Sequence, residues 1–239
     1  MCASARVLRW SDEPVMRKIL RVIAVIFAVV FAGVAMSPAM LYLYGLHLIP
    51  DEVLAAPPPR VLPATATTAL WASLGGTGVP RIERHNPYTL IWKFWKYTFP
   101  DSPESQAATL GSRALLWNAP DLSPHHKRHL ASISAYIWVG RHWTAEQALS
   151  AFLSQAYFGH RFHGLEAAAQ GYFGLPSAQL SLEQMAHLVV VPRGPSRFDP
   201  WCNPERNRQA ARNAMSRLLQ ASPEQPIHLI AAPAGACSE

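Results

Sequence analysis

The stretch from Tyr157 to Arg212 decides the fold class, and it reads YFGHRFHGLEAAAQGYFGLPSAQLSLEQMAHLVVVPRGPSRFDPWCNPERNRQAAR. Two Tyr-Phe-Gly turns enclose an alanine-rich segment, which is typical of a short helix that ends at a glycine. Ser181 and Gln184 form a capping-box pattern, which predicts the start of another helix. Pro192 ends that helix, because a proline cannot continue the backbone hydrogen bonds.

Three more helices are predicted around this stretch. A Ser-Pro pair begins a helix over 123–140, a Thr-Ala-Glu-Gln capping box begins one over 144–159, and an Asn-Pro pair begins a last helix over 203–219. The sequence shows no alternation of strands and helices and no nucleotide-binding glycine motif. It therefore predicts a mostly α-helical domain over 68–220.

A membrane segment precedes this domain. Residues 22–46 carry no charge, and they are long enough to cross about 30 Å of hydrocarbon. Basic residues precede the segment and acidic residues follow it, so the positive-inside rule predicts that residues 1–21 form a cytoplasmic basic arm and that the domain lies outside. The alternative is a cleavable signal peptide, but the apolar run is longer than usual for one. The flanking charges are Arg17, Lys18, Arg21, Asp51 and Glu52.

The remaining segments are read from their composition. The proline-rich composition of residues 47–67 predicts an extended linker. Residues 221–239 are predicted to form a loose tail. Cys202 and Cys237 would share the oxidising side of the membrane, where they could pair. Residues Thr89–Tyr97 (TLIWKFWKY) fit either a membrane-grazing helix or a half-buried surface helix.

Composition indicates the class of partner. The chain has 239 residues, 50% of them hydrophobic and 15% charged, which excludes a disordered protein. The net charge of +6 and the pI of about 9.5 favour anionic partners such as phospholipid headgroups or a pyrophosphate-linked substrate. A nucleic acid is not predicted as a partner, because the basic residues are scattered and no nucleic-acid-binding motif is present.

Together, these features resemble the C-terminal half of the peptidoglycan glycosyltransferase domain, the family 51 transglycosylases of bifunctional penicillin-binding proteins and their monofunctional relatives. The chain departs from the family pattern at Ser154, Arg161 and His163, so it resembles a divergent member. The matching residues are Gly164, Glu166, Ala168, Ala169, Tyr172, Phe173, Gly174, Leu180, Leu182, Glu183, Ala186, Leu188, Pro192, Pro195, Asp199, Pro200, Asn203, Pro204 and Arg212.

The resemblance implies a lysozyme-like helical fold behind one transmembrane helix. It implies polymerisation of lipid II during bacterial cell-wall synthesis, with no cofactor. The expected partners are lipid II or a glycan strand, membrane lipids and other cell-wall synthesis proteins. The expected location is the bacterial cytoplasmic membrane, crossed once, with the domain on its outer side.

Upstream, the resemblance weakens at the residues that would carry the chemistry. Counting back without gaps places Ser132 and Gly140 where the family has glutamates. The Glu-Asp motif, which holds the glutamate regarded as the base, falls near Leu74 and Gly75. Serine, leucine and glycine cannot accept the proton of an acceptor hydroxyl at neutral pH. Both motif glutamates are therefore expected to be replaced.

The substitute catalytic base suggested by the sequence is Glu83, in the segment RIERH, although a solvated loop charge is the alternative interpretation. The resemblance places Ser105, Arg113 and Arg128 on the substrate pyrophosphate, where an arginine can present a fork of donors.

His125 and His129 are four residues apart and would suit a metal, but no glutamate lies between them as in a zinc hydrolase, and no metal site is predicted. An exposed basic face near anionic lipid headgroups is the other interpretation of this helix start.

Two functions therefore remain open at this point. The first is an active lipid II polymerase with Glu83 as base. The second is a catalytically degenerate protein that binds lipid II or glycan and acts as a scaffold. The missing glutamates favour the second hypothesis on mechanism.

Overall fold

The described part of the chain is built from helices. The computed structural model describes residues 14–96, 101–117, 119, 125–218 and 227–237, and within these ranges it contains no β-sheet, only an isolated bridge between Tyr157 and His163. The helices are α1 (Pro14–His47), α2 (Asp51–Ala55), α3 (Ala64–Ser73), α4 (Pro87–Trp95), α5 (Pro103–Trp117), α6 (His125–His142), α7 (Ala145–Gln155), α8 (Leu165–Phe173), α9 (Leu182–Val189) and α10 (Pro204–Leu218). The expected mostly α-helical class is confirmed.

Helix α1 is longer than the predicted segment 22–46 and continues without a break through Pro38. From Met16 to His47 it is long and apolar enough to cross a membrane, and its most apolar stretch is not buried by the rest of the protein. The first residues of the predicted basic arm lie outside the described part of the chain.

The predicted linker over 47–67 proves to belong largely to the domain. Ile49 is buried, and the backbone N–H of Leu62 donates to Ser150 Oγ at 2.9 Å. Prolines directly precede α2 and α3, where their fixed backbone angle suits the residue before a helix, so only residues 48–50 and 56–63 of this segment remain outside helices. The prediction overlooked that the few apolar residues in this segment reach the core.

Both predicted capping boxes are present. Thr144 and Gln147 exchange hydrogen bonds at the start of α7, and Ser181 and Gln184 do so at the start of α9. Helix α7 ends at Gln155 rather than at the expected Gly159, because the backbone becomes extended at Ala156 and then forms a tight turn. The predicted start of α6 at its Ser-Pro pair lies outside the described residues, and α6 itself runs to His142.

Two groups of helices form one core. Helices α5, α6 and α7 pack closely at Gly111, where an added Cβ would lie 2.7 Å from Ala148 Cβ and 2.8 Å from Val139 Cγ1. Helix α3 packs against α9 and α10 and also contacts α7. Trp71 of α3 and Tyr172 of α8 are the largest of the fully buried side chains, and both belong to this core.

The C-terminal segment is fastened rather than loose over residues 227–237. A disulfide joins Cys202 to Cys237, which settles the pairing that the sequence left open. Ile230 also donates its N–H to Tyr172 O and accepts from Trp201 Nε1, both at 2.9 Å. Composition alone predicted a loose tail, because these contacts depend on residues far away in the sequence.

Candidate functional site

Glu83 lies in a polar cluster between the loop over 82–86, α4 and α6. Its carboxylate forms an ion pair with Lys93 of α4, and His85 Nε2 lies 3.2 Å from its second oxygen. The His85 ring stacks on Tyr136 of α6, with ring centroids 5.7 Å apart. Glu83 is therefore held by neighbours from several elements instead of standing in solvent.

These neighbours also set the acidity of Glu83. Burial alone would raise the pKa of its carboxyl, but the Lys93 ammonium and the His85 imidazole outweigh burial and hold the pKa below its ordinary value. A carboxylate with a lowered pKa is a weaker proton acceptor. The cluster thus makes Glu83 a stably ionised group and a poor general base while Lys93 remains in place.

Three of the four predicted site residues line a groove between α5 and α6. One part, of about 310 Å³, is lined by Ser105, Arg113 and Tyr136, together with three apolar side chains and three further hydroxyl-bearing ones (Leu90, Leu116, Ile133, Thr109, Ser112 and Ser132). The adjoining part, also about 310 Å³, is lined by Arg113 and Arg128. We call the two parts together the α5–α6 groove.

Glu83 does not line this groove. It is linked to it through Tyr136, whose hydroxyl lies 3.2 Å from Ser105 Oγ and interacts electrostatically with Glu83. The structure thus places Ser105, Arg113 and Arg128 on the wall of one groove. Glu83 lies outside this groove, on the far side of Tyr136.

Ser132 and Gly140, the positions where counting back predicts the family glutamates, carry no acidic group. Ser132 lines both parts of the α5–α6 groove and donates its hydroxyl to Arg128 O at 2.7 Å. At Gly140, a Cβ atom would lie 2.5 Å from Glu83 O, so a larger side chain requires the loop over 82–86 to move. The loop can therefore lie this close to α6 only because residue 140 is a glycine.

A larger cavity of about 930 Å³ opens where α3 ends against α10. Leu74 and Gly75, the positions aligned with the Glu-Asp motif, are part of its lining. None of the described lining residues is Asp, Glu or His, whereas four are arginines. We call this cavity the arginine cleft, after Arg193, Arg197, Arg206 and Arg217.

Two of these arginines also hold the end of α3. Arg193 Nη1 donates to Ser73 O at 3.0 Å, and Arg217 Nη1 donates to Ala72 O at 3.1 Å. Such contacts suit a helix C-terminus, where carbonyl groups lack partners and positive charge is favourable. A guanidinium has five N–H donors, so each arginine retains donors for a ligand in the cleft. The sequence interpretation missed these residues, because only the fold brings them together.

The segment with the strongest family resemblance forms a scaffold beside these cavities. Asp199 accepts hydrogen bonds from the N–H groups of Trp201 at 2.8 Å and Cys202 at 3.0 Å, and its other oxygen lies 2.6 Å from His160 Nε2. Burial raises the pKa of Tyr172, so its phenol stays protonated and donates to Phe158 O at 2.9 Å. These bonds fix the two Tyr-Phe-Gly turns.

Two groups of possible metal ligands can be judged from their surroundings. His160, Asp199 and Cys202 lie together, but the Cys202 sulfur is committed to the disulfide and Asp199 is already hydrogen-bonded. His125 Nε2 and His129 Nε2 are 2.9 Å apart on the first turns of α6, where the helix dipole and the neighbouring basic residues disfavour a cation. Neither group fits a metal site.

Comparison with known proteins supports the family resemblance. Residues 114–220 match the family model described as Transglycosylase. Penicillin-binding protein 1A of Pseudomonas aeruginosa is 33% identical over 111 residues, which is 42% of this chain and 14% of that protein. Penicillin-binding protein 1C of Escherichia coli is 28% identical over 235 residues, which is 82% of this chain and 30% of that protein.

Penicillin-binding protein 1B of Haemophilus influenzae is 40% identical over 75 residues, which is 30% of this chain and 10% of that protein. The chain therefore spans less than a third of the length of these curated relatives. The matched residues include the two Tyr-Phe-Gly turns, the capping boxes of α7 and α9, and most of the arginine cleft. Residues 114–220 therefore match the transglycosylase family, and the chain is similar to penicillin-binding proteins, which supports a peptidoglycan glycosyltransferase-like domain.

Proposed function

We propose that this chain is a peptidoglycan glycosyltransferase-like protein of bacterial cell-wall synthesis that binds lipid II or a glycan strand and polymerises it weakly or not at all. One observation carries the proposal. The arginine cleft has four cationic side chains, but its described lining contains no carboxylate or imidazole to act as a base.

The charge of the two cavities supports binding of an anionic glycan carrier. Guanidinium groups match the oxygens of a pyrophosphate with paired, charge-assisted hydrogen bonds. The arginine cleft supplies four such groups, and the α5–α6 groove supplies Arg113 and Arg128. Lipid II combines a pyrophosphate with a long apolar chain, and the α5–α6 groove offers both a basic end and an apolar wall.

The absence of a suitably placed base supports weak catalysis. A positioned general base accounts for roughly 100- to 10,000-fold of an enzymatic rate. Glycosyl transfer to a sugar hydroxyl needs such a group to take the proton. In the described part of the chain, neither cavity is lined by an acidic side chain, so binding can persist while turnover is reduced by about that factor.

An active enzyme with Glu83 as base is the second candidate function. The linkage from Glu83 through Tyr136 to Ser105 in the α5–α6 groove favours it. Glu83 could accept a proton there only if substrate binding drew Lys93 away, which would also raise the pKa of the carboxyl. Its lowered pKa in this structure favours the binding protein instead.

The proposed location is the bacterial cytoplasmic membrane, with α1 as a single span. Basic residues precede the apolar part of α1, which supports a cytoplasmic N-terminus. The disulfide between Cys202 and Cys237 supports an oxidising environment for the domain, as expected outside the cytoplasm. The domain would then meet lipid II on the outer side of the membrane.

Equilibrium binding of labelled lipid II to the purified full chain in detergent tests the proposal. We expect the double variant Arg197→Gln/Arg206→Gln to weaken binding by roughly tenfold for each arginine, since each removes charge-assisted hydrogen bonds. Arg208→Gln is the matched control, because Arg208 lies on the same helix as Arg206, pairs with Glu205 at 2.7 Å and does not line the cleft. Equal affinity of the wild type and the double variant would reject the arginine cleft as the site.

A further inference from the structure

A third cavity lies beside the Glu83 cluster, between the start of α4 and the end of α6. It measures about 290 Å³, and we call it the headgroup pocket, with a lining of Arg84, His85, Asn86, Thr89 and Arg141. Its described lining contains no carboxylate. Asn86 and Thr89 cap α4 through mutual hydrogen bonds of 2.8 and 3.0 Å, so the charge available to a ligand comes from the two arginines.

The close contact at Gly140 brings these arginines together. A Cβ on Gly140 would lie 2.5 Å from Glu83 O and 3.8 Å from Arg84 Cα. The loop over 82–86 therefore lies directly against the last turn of α6, and both guanidinium-bearing residues are exposed there. Two exposed arginines beside one concave surface favour an anionic ligand.

The packing of α1 on α6 relates this pocket to the membrane. Ser134 Oγ donates to Tyr42 O at 3.1 Å, and one turn further along α1 a Cβ on Gly45 would meet Ser134 again and also Leu130 O, 2.7 Å away. As α1 leaves the bilayer, its contacts thus move toward the N-terminal end of α6. The other end of α6, where Arg141 stands about 10 Å beyond Ser134, points back toward the bilayer.

The length of α1 places the membrane surface near the same level. A span needs about 20 residues. Counting from Lys18 at the basic end reaches Pro38, which is where side chains of α1 begin to be covered by the domain. The end of α6 and the headgroup pocket therefore lie close to the outer headgroup layer.

Helix α4 supports this position with a row of exposed apolar side chains. It packs beside α1, and it leaves Trp95 73% and Trp92 53% exposed, together with Tyr88 and Ile91. Lys96 lies over the Trp92 ring, 4.9 Å from its centroid. Tryptophan, tyrosine and lysine are favoured at the boundary between headgroups and acyl chains. Of the two interpretations left open for this segment, the membrane-grazing helix fits these contacts.

We propose that the headgroup pocket binds the phosphate of an anionic phospholipid of the membrane that α1 spans, while Trp92 and Trp95 of α4 enter the interface beside it. Arg84 and Arg141 hold the phosphate from two sides. The domain is thereby seated on the membrane with α4 against it. This inference rests on the proposed membrane anchoring by α1, and it does not depend on binding or polymerisation of lipid II.

Lipid retention by the full chain tests the pocket. The wild type and Arg84→Gln/Arg141→Gln are reconstituted in nanodiscs of one part phosphatidylglycerol and nine parts phosphatidylcholine, and the lipids that stay bound on extraction are counted by mass spectrometry. We expect the wild type to retain phosphatidylglycerol in preference to phosphatidylcholine. In the double variant, the ratio of the two retained lipids should fall roughly fivefold for each arginine removed.

Two further double variants serve as controls for general loss of positive charge and for misfolding. Arg161→Gln/Arg208→Gln removes one exposed and one half-buried arginine elsewhere and should leave the preference unchanged. Arg84→Lys/Arg141→Lys retains the charge and should restore most of it, which separates charge from misfolding. Equal preference in the wild type and the glutamine variant, or a lysine variant as poor as the glutamine one, would overturn the proposal. A chain that fails to enter nanodiscs would instead overturn the anchoring by α1.

Discussion

At the scale of single residues, the surroundings of Glu83 matter more than its identity. It was the one upstream carboxylate that the sequence offered as a base, and the fold gives it Lys93 and His85 as partners. Those partners stabilise its ionised form. A carboxylate such as Glu83 is therefore the right kind of group for a general base, but its ion-pair partners make it a weak proton acceptor.

The pH dependence of stability tests this ion pair. The pKa of Glu83 is lowered on folding, so its stabilising contribution is complete above the unfolded pKa of about 4.3 and is lost as the pH falls through the lower folded value. Lys93→Gln should lower the free energy of unfolding by about 2 kcal/mol at pH 7, between the values for exposed and buried ion pairs. Thermal unfolding at pH 7 and pH 3 measures this effect, which should shrink at pH 3.

Lys96→Gln is the matched control for this prediction. Lys96 follows directly after α4 and lies over the Trp92 ring, whereas Lys93 pairs with Glu83. Its replacement should change stability little and equally at both pH values. If Lys93→Gln destabilises the domain equally at pH 7 and pH 3, the ion pair is not the source of its effect.

The site residues could be predicted only where a motif carries them. Ser105, Arg113 and Arg128 were predicted by counting back from the family motif; they line one groove, and their role there stays a prediction. Arg193 and Arg217 were missed because no short pattern links residues that meet only through the packing of α3 against α10. Charged residues that are far apart in the sequence and meet only in the fold form no pattern that a sequence motif can reveal.

At the scale of elements, local signals predicted helix starts better than helix ends. The capping boxes of α7 and α9 consist of side chains three residues apart, so they can be seen in the sequence. The end of α7 depends on the turn over 156–163, in which Phe158 N–H donates to Phe162 O at 2.9 Å. That turn is held by Tyr172, a contact that no local pattern predicts.

The C-terminal segment was the other element that composition misjudged, and its disulfide gives a direct test. The bond closes a loop between residues 35 apart, so chain entropy suggests a contribution of about 3–4 kcal/mol. Cys237→Ser should lower the free energy of unfolding by up to that amount. Thermal unfolding with and without reductant measures it: reductant should bring the wild type to the level of the variant and leave the variant unchanged. A wild type that is indifferent to reductant would contradict the role of the bond.

At the scale of the whole molecule, the helical architecture could be predicted from the sequence more fully than the chemistry of the site. The helical class, the apolar N-terminal helix and the family of residues 114–220 all follow from sequence patterns. The cationic surfaces are present as well, although they are partly formed by residues that the sequence did not single out. The expected replacement of the family glutamates at Ser132 and Gly140 stays a prediction, and the packing at Gly140 leaves no room for a side chain there.

We propose that this protein binds lipid II but polymerises it slowly or not at all. This proposal is tested most directly by incubating the full chain with labelled lipid II at a saturating concentration and analysing the glycan strands, with penicillin-binding protein 1A of Pseudomonas aeruginosa in parallel. We predict bound lipid II and strand formation at least roughly 100-fold slower than in that relative, as expected for a missing general base. Strands formed at a comparable rate and abolished by Glu83→Gln would contradict this account and identify an active enzyme that uses Glu83.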